Sequence, residues 1–395
     1  MPWKTNTMKD VRREFALKAL SPGANLSALC REYGVTRKTG RQWRERAKMD
    51  GISFLAEKSR RPAASPKQLT EGVVCHLIRH KLAHPSWGPR KIQEVYRREF
   101  GRSPSLSSCH RILVKAGLVE RRRKRTKQPP RMVMGAVKAN APNEVWTVDF
   151  KGWWKLGNGE RCEPLTVRDA FSRFILAIRL PANARTGALK DEFRRLFQLY
   201  GLPKVIKSDN GSPFASVRAP LGLSRLSAWW VVLGIELERS RPGSPQDNGA
   251  HERMHKDVAH EIAATTQPDG RAQQAALDVW REEFNVERPH EALQGRSPIG
   301  LYRKSPRPFP AEPLRLDYGV GYYPRKVIAN GSIKWNGQTI FISNALAGWE
   351  VGLRVVAQEQ LEVWLNYLQI GTIELQTNRF GRAPSRSAKA VSLAA

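Results

Sequence analysis

From Asn143 onward the apolar residues change their spacing, and this change constrains the fold more than any other feature of the chain. Glu144 to Gly152, Arg161 to Arg168 and Phe171 to Leu180 carry the short β-branched and aromatic runs of strands. Gly157-Asn158-Gly159 and the Asp169–Arg173 stretch supply turns. Leu189, Phe193, Leu196, Phe197 and Tyr200 then fall at helical spacing, and Gly201-Leu202-Pro203 stops that helix. Lys204 to Ser208 reads as a strand, Leu223 to Leu233 as a helix, Ile235 to Arg239 as a strand and Asp247 to Thr265 as a helix. Strands and helices in this order bury their apolar faces as a mixed five-stranded sheet covered by helices. The expected core is α/β and spans 143–300.

The flanks read differently, so the chain as a whole is expected to be multidomain α+β. Residues 8–20 read as a helix, Leu26 to Tyr33 as a short one, Gly34 as a turn, Thr36 as an N-cap and Arg37 to Ala47 as a second helix. This is helix-turn-helix spacing, giving an expected domain over 1–60 with Trp43 as core anchor. Val73 to His84, Pro89 to Phe100 and Ser105 to Ala116 predict a second helix-turn-helix-like domain over 66–120, punctuated by Pro89, Gly101 and Gly117. His76, His80 and His84 stand one helical turn apart with no Cys pair or acid beside them in sequence, so they read as surface or packing histidines. In Arg121 to Arg131 seven of eleven residues are basic, which predicts a linker over 121–142. Residues 313–375 read as five short strands with turns at Asn330-Gly331 and Asn336-Gly337, suggesting a small β-barrel. Residues 376–395 are Ala/Ser/Arg-rich and read as a disordered tail.

Charge separates the function classes. The 395 residues carry a formal net charge of +31, with 33 basic and 10 acidic residues in 1–140 but 22 and 20 in 141–300. The excess therefore belongs to the N-terminal third and points to a polyanion. No basic amphipathic helix with a broad apolar face is present there, which favours nucleic acid over a membrane surface. Arg37, Lys38, Arg41, Gln42 and Arg44 on the second helix suit base edges and phosphates in a major groove. Ser107, Arg111 and Lys115 offer a similar face on the last helix of the second domain, and Arg121, Arg122, Arg123, Lys124 and Arg125 suit a phosphate backbone. The longest nearly apolar run, Leu226 to Ile235, is far too short to span a bilayer, and Met1 to Lys18 lacks the apolar stretch of a secretory signal. Four Cys without a CxxC argue against a zinc or disulfide framework, so a cytoplasmic, nucleoid-associated location is expected.

Three acids sit where chemistry can use them. Pleating places Val145, Thr147 and Asp149 on one face of their strand, and a carboxylate in so apolar a strand calls for compensation such as a cation. Asp209 ends a strand, where open sheets place ligands. Glu252 lies about 160° from the Met254, Val258 and Ile262 stripe of its helix. Each has a plain structural reading, as edge residue, turn former or helix-surface acid, and Asp169, Asp247, Asp257 and Glu261 compete with them. Only the joint placement singles out the three.

Trp146-Thr-Val-Asp149, Ser208-Asp209-Asn210-Gly211-Ser212-Pro213-Phe214 and Asn248-Gly249-Ala-His251-Glu252-Arg253 resemble the three acidic motifs of DDE-type insertion-sequence transposases with a retroviral-integrase-like core. Phe284-Asn285-Val-Glu-Arg288-Pro289-His290-Glu-Ala-Leu293 resembles that branch's segment after the core, and His84-Pro-Ser-Trp87-Gly88 its N-terminal helical domain. The resemblance covers roughly 10–300, though 42 residues separate Asp209 from Glu252, more than in the better-known members, and no His-His-Cys-Cys zinc module is readable. It implies an RNase H-like core and a metal-dependent strand-transferase or endonuclease with Asp149, Asp209 and Glu252 as catalytic, metal-holding acids. Such acids suit Mg²⁺ or Mn²⁺, as two ions in a phosphoryl displacement. It further implies double-stranded DNA as partner, both element ends and target, and a homo-oligomer on DNA. His255, Lys256, Arg288 and His290 are candidate DNA contacts, and Asn210, Asn248 and Arg253 candidate supports of the acids. A DNA-binding regulator with an inactive core and a simple nuclease are the alternatives.

Overall fold

The computed structural model describes residues 7–52, 55, 68–119, 139–181, 186–217, 219–240, 249–312 and 314–383. The chain divides into two compact units, Met1–Thr70 and Glu71–Ala395. Most of the expected basic linker, Asp247 and most of the tail lie outside the described residues.

In the first unit α1 (Met8–Leu20), α2 (Leu26–Glu32) and α3 (Arg37–Asp50) form the predicted helix-turn-helix. Thr7, Asn25 and Thr36 cap the three N-termini with their side chains. Phe15, Ala19 and Cys30 make the centre, with Leu26, Tyr33 and Trp43 packed around them. Gly40 is required where α3 crosses α2, because a Cβ there would fall inside the Cys30 Sγ. The result is a small core with the basic face of α3 turned outward.

The second unit starts with α4 (Glu71–Ala83), α5 (Pro89–Phe100) and α6 (Leu106–Lys115), packed on Leu77, Trp87, Ile92, Tyr96, Cys109 and Leu113. The buried Lys81 donates to the carbonyls of Pro85 and Trp87 and so shapes the His84–Gly88 turn. This helical triplet is docked on the core. Arg98 donates to the Glu287 carbonyl at 3.1 Å and also to that of Gly295, while His84 faces Glu283 and Glu287 at 3.7 and 3.8 Å.

The core sheet has the expected five strands, in the order β5-β4-β1-β6-β7. They are β1 (Val145–Phe150), β4 (Leu165–Asp169), β5 (Ile175–Arg179), β6 (Val205–Ser208) and β7 (Glu236–Arg239). β1 pairs antiparallel with β4 and parallel with β6, and β6 parallel with β7. One face packs on α7 (Thr186–Tyr200) and α8 (Arg225–Val232) through Trp146, Val148, Phe193, Phe197 and Trp230. The other packs Ile175 and Ile178 on α9 (Gly249–Val258) and α10 (Gly270–Val286). α9 passes into a π-helical turn at Ala259–Ala263.

The structure corrects the sequence reading in four places. Gly157-Asn158-Gly159 joins a small separate hairpin, β2 (Trp154–Lys155) with β3 (Arg161–Cys162), outside the main sheet. α10 was not expected, although Leu277, Trp280 and Phe284 are at helical spacing and Asp269 caps its start. The C-terminal region has seven strands: β8 (Tyr322–Lys326), β9 (Ser332–Trp335), β10 (Gln338–Phe341), β11 (Glu350–Ala357), β12 (Gln360–Leu365), β13 (Leu368–Glu374) and β14 (Arg379–Arg382). Five form an antiparallel sheet, β14-β13-β12-β11-β8, with β9 and β10 as a separate ribbon, so the described strands do not pair into a closed barrel. Finally, β14 occupies the start of the expected disordered tail, because Phe380 reaches the apolar cluster of this sheet. That cluster also takes Ala228, Val231 and Val232 of α8, so the β-region shares its core with the central domain.

Candidate active site

Strand register brings the first two acids together. β1 pairs with β6 as Val145↔Val205, Trp146↔Ile206 and Thr147↔Lys207. Two residues further along each strand stand Asp149 and Asp209, on neighbouring strands about 4.8 Å apart. Asp209 is exposed, and its Oδ1 accepts from the Gly211 amide at 3.1 Å, the Asx turn expected of Asp-Asn-Gly. Glu252 arrives from the first turn of α9. Burial, then the charge of Asp209, then that of Glu252 push Asp149 up to about 6, with only the Phe150 backbone amide opposing them. Asp209 and Glu252 therefore both act on Asp149 across this site.

What holds α9 in place was not foreseen. His251 is fully buried, with Nδ1 2.8 Å from the Thr147 hydroxyl and Nε2 2.6 Å from the Thr166 hydroxyl. The buried Arg168 donates to the Ala250 carbonyl at 2.6 Å. These bonds tie the residues before Glu252 to the two strands that flank Asp149. The period-two pattern already put Thr147 beside Asp149, but not opposite a histidine. Arg239 was also missed. It donates to the Ser208 hydroxyl at 2.7 Å and to the Asp209 and Phe214 carbonyls at 3.3 and 2.8 Å, bracing the loop that carries the second acid. Asn210 donates to the Ser240 carbonyl at 2.7 Å.

Several expected site residues are elsewhere. Arg288 is fully buried and cannot reach DNA; its guanidinium bonds Glu261 and Glu283 and lies 3.7 Å from Asp257. Those partners also account for two competing acids, while Asp169 is buried and accepts from the Asn143 and Ser172 amides. His255 turns inward to Thr166 at 2.8 Å and lies 3.9 Å from Asp149. Burial, Lys151 and Arg168 lower it to about 3, so it is neutral and is not a phosphate contact. His290 is half-buried against Phe284 and likewise lowered to about 3, chiefly by burial. Arg253 leans on Asp257 at 3.6 Å rather than on Asp149, Asp209 or Glu252. Lys256 is exposed one turn after Glu252. Arg37, Lys38, Arg41 and Gln42 are exposed on α3, and with Arg44 they line one concave face with Ser27. Ser107, Arg111 and Lys115 are exposed on α6. Arg121 to Arg125 and Asn248 lie outside the described residues.

The mixed five-stranded sheet thus carries Asp149 in one strand, Asp209 just past the end of its neighbour and Glu252 on a covering helix. Residues 139–245 and 233–298 each match a family model described as Integrase core domain. Residues 11–63 match a Helix-turn-helix domain and 39–113 a Homeodomain-like domain. The chain is 30% identical over 241 residues to the insertion element IS407 uncharacterized 31.7 kDa protein of Burkholderia multivorans, covering 60% of this chain and 82% of that protein. It is 28% identical over 252 residues to the insertion element IS476 uncharacterized 39.2 kDa protein of Xanthomonas euvesicatoria, covering 62% and 69%. Among solved structures, the catalytic core domain of BIV integrase is 22% identical with a TM-score of 0.32, covering 40% of this chain and 93% of that one. The chain belongs to the family of insertion-element transposases that carry an integrase core and N-terminal helix-turn-helix domains. No helix among the described residues is long and apolar enough to cross a membrane.

Proposed function

We propose that this chain cuts DNA at the ends of a mobile element by water attack on a phosphodiester and joins the freed 3′-hydroxyl to target DNA, with Asp149, Asp209 and Glu252 as its catalytic acids. The observation that carries this reading is the placement of the three carboxylates: Asp149 in β1, Asp209 just past the end of the neighbouring β6 and Glu252 on the first turn of α9, with Asp149 raised to about 6 first by burial and then by the charges of the other two. Such a cluster is unfavourable in the free protein and is relieved by a cation. Three carboxylate donors fit Mg²⁺ or Mn²⁺. Bound there as a pair, these ions supply charge neutralisation of the attacking and leaving oxygens of the phosphodiester.

The protein's own residues do the positioning. His251, Thr147, Thr166 and Arg168 hold the start of α9 against the strands, and Arg239 braces the loop of Asp209. Lys256 faces solution beside Glu252 and suits a DNA phosphate. The exposed donors of α3 and α6 bind the element ends, and two ends are brought together by an oligomer assembled on DNA.

The test is strand joining. Purified protein with Mg²⁺ is given an oligonucleotide duplex bearing a free 3′-hydroxyl element end and a target plasmid. Joined products are expected. Cutting without joining would leave a nuclease, and binding with neither would leave a regulator. The positioning network makes a second prediction. Removing the imidazole in His251→Ala frees α9 to shift, and displacements near 1 Å cost about a hundredfold in rate. Joining is expected to fall by about that factor, with end binding in a gel-shift assay unchanged. Wild-type joining rates in this variant would remove the positioning role.

A further inference from the structure

We infer that α4 and α5 carry a second metal site, for a borderline divalent ion of the zinc type, made by His76, His80 and Glu99. His76 and His80 lie one turn apart on α4, and Glu99 comes from the last turn of α5. His76 Nε2 is 2.8 Å from both His80 Nε2 and Glu99 Oε2, and His80 Nε2 is 3.4 Å from the same oxygen. Among the described residues this is the trio of His, Cys, Asp and Glu whose ligand atoms all lie within 4.8 Å of one another. Sequence spacing hid it, since Glu99 is 23 residues from His76.

Hydrogen bonding alone leaves the cluster short of protons. Arg79 Nη2 lies 3.0 Å from His76 Nδ1, and a guanidinium only donates, so that nitrogen is the acceptor. The single hydrogen of His76 then sits on Nε2, which faces two partners at equal distance. Two imidazoles and a carboxylate are the donors of a three-ligand zinc site with a fourth position for water, and the imidazoles disfavour Mg²⁺ and Ca²⁺. Tyr96 and Phe100 meet the His76 ring edge-on at 5.4 and 4.8 Å and fix its orientation, while Glu99 is about half exposed and leaves an entry path. His84 is not part of the site; it stacks on Trp87 at 3.8 Å.

One contact opposes the ion. A ligating imidazole ordinarily donates its other N–H to an acceptor, whereas Arg79 presents a donor. Arg79 is exposed, so nothing packed over it prevents its side chain from leaving the ring when the ion binds. The bound ion clamps the end of α5 to α4, and this triplet is the one docked on the core through Arg98.

The experiment is a Zn²⁺ titration of the metal-stripped full chain against a chromophoric chelator, in millimolar Mg²⁺ so that the acid triad is occupied. One tight equivalent is expected in the wild type and in Asp149→Asn. His80→Ala is expected to weaken it by at least about a hundredfold, since even outer-shell changes cost about 10–100-fold. Glu99→Gln keeps the side chain's size and should weaken it without changing the circular dichroism spectrum. Arg79→Gln should tighten it. X-ray absorption should show two imidazoles on the metal. The site is overturned if the wild type takes up no tight equivalent, if both His80→Ala and Glu99→Gln retain it, or if Asp149→Asn loses it.

Discussion

Asp149→Asn is expected to abolish cutting and joining, to leave end binding intact and to make the metal-free protein more stable. The first effect follows from the proposed role. Loss of a group worth several kcal/mol of charge stabilisation lowers the rate by about a thousandfold or more. The second follows because the basic helices that suit DNA are not altered. The third has its sign set by the raised pKa of Asp149. Asp149 holds its proton up to about 6 in the folded chain, against an ordinary value of 3.8. A carboxyl raised in this way favours the folded state at low pH, and the advantage is lost as pH rises through about 6. The metal-free wild type should therefore lose stability between pH 4 and pH 6 relative to the variant, by on the order of 1–2 kcal/mol once solvent at the partly exposed carboxylate is allowed for. Mg²⁺ should reverse the order, stabilising the wild type and not the variant. Melting curves across pH, with and without Mg²⁺, measure this directly. Full joining activity in Asp149→Asn would end the catalytic assignment.

Arg288→Ala is expected to give the largest loss of stability. Its side chain has no exposed surface, and burial by itself would favour deprotonation, but Glu261 and Glu283 more than offset this and hold its pKa above the ordinary value. Trp280 donates to the same Glu261 at 2.6 Å, and the rings of Trp280 and Phe284 lie 5.3 Å from the guanidinium. Trp87, from the turn after α4, lies 6.0 Å away. One cation thus joins the π-helical end of α9, α10 and the docked helical triplet. Removing it strands two or three carboxylates in a half-dry site, at a cost of about 3–5 kcal/mol. Arg288→Lys should recover little, since one ammonium cannot replace a planar fork. Chemical denaturation measures the loss. The salt dependence of DNA binding should be unchanged, because Arg288 touches no phosphate. Wild-type stability combined with a shallower salt dependence would restore it as a DNA contact.

The elements read correctly from the sequence are those whose ends carry their own chemistry. α5 runs from Pro89 to Phe100 as expected, because proline suits a first helical turn and Gly101 adopts the left-handed conformation beyond the last. α3 starts at Arg37 behind its Thr36 cap. α10 shows its period in Leu277, Trp280 and Phe284, but only its last three residues fall in the motif read from this part of the sequence. The turn at Asn366 and Tyr367 that separates β12 from β13 carries no glycine, Asn366 itself taking φ 53, so this boundary is weakly marked in the sequence.

The candidate site divides along the same line. Alternation along β1, the strand end at Asp209 and the outer face of α9 are local properties, so each acid was legible as a candidate, but only their joint placement set the three above the competing acids. Direction was not legible. His255 and Arg288 look in sequence like cations available to DNA, yet one bonds Thr166, 89 residues away, and the other Glu261 across a helix pair. Likewise His76 and His80 acquire Glu99 only when α4 and α5 pack. The amino-acid order by itself determined the helices and most strands, the basic N-terminal third and the three candidate acids, since steric, capping and periodicity effects act over a few residues. Only the tertiary structure decided which charges are buried in pairs, which histidines brace the acids and which converge on one point. Those outcomes depend on partners brought together by packing and on the cost of leaving a polar group unpaired inside it.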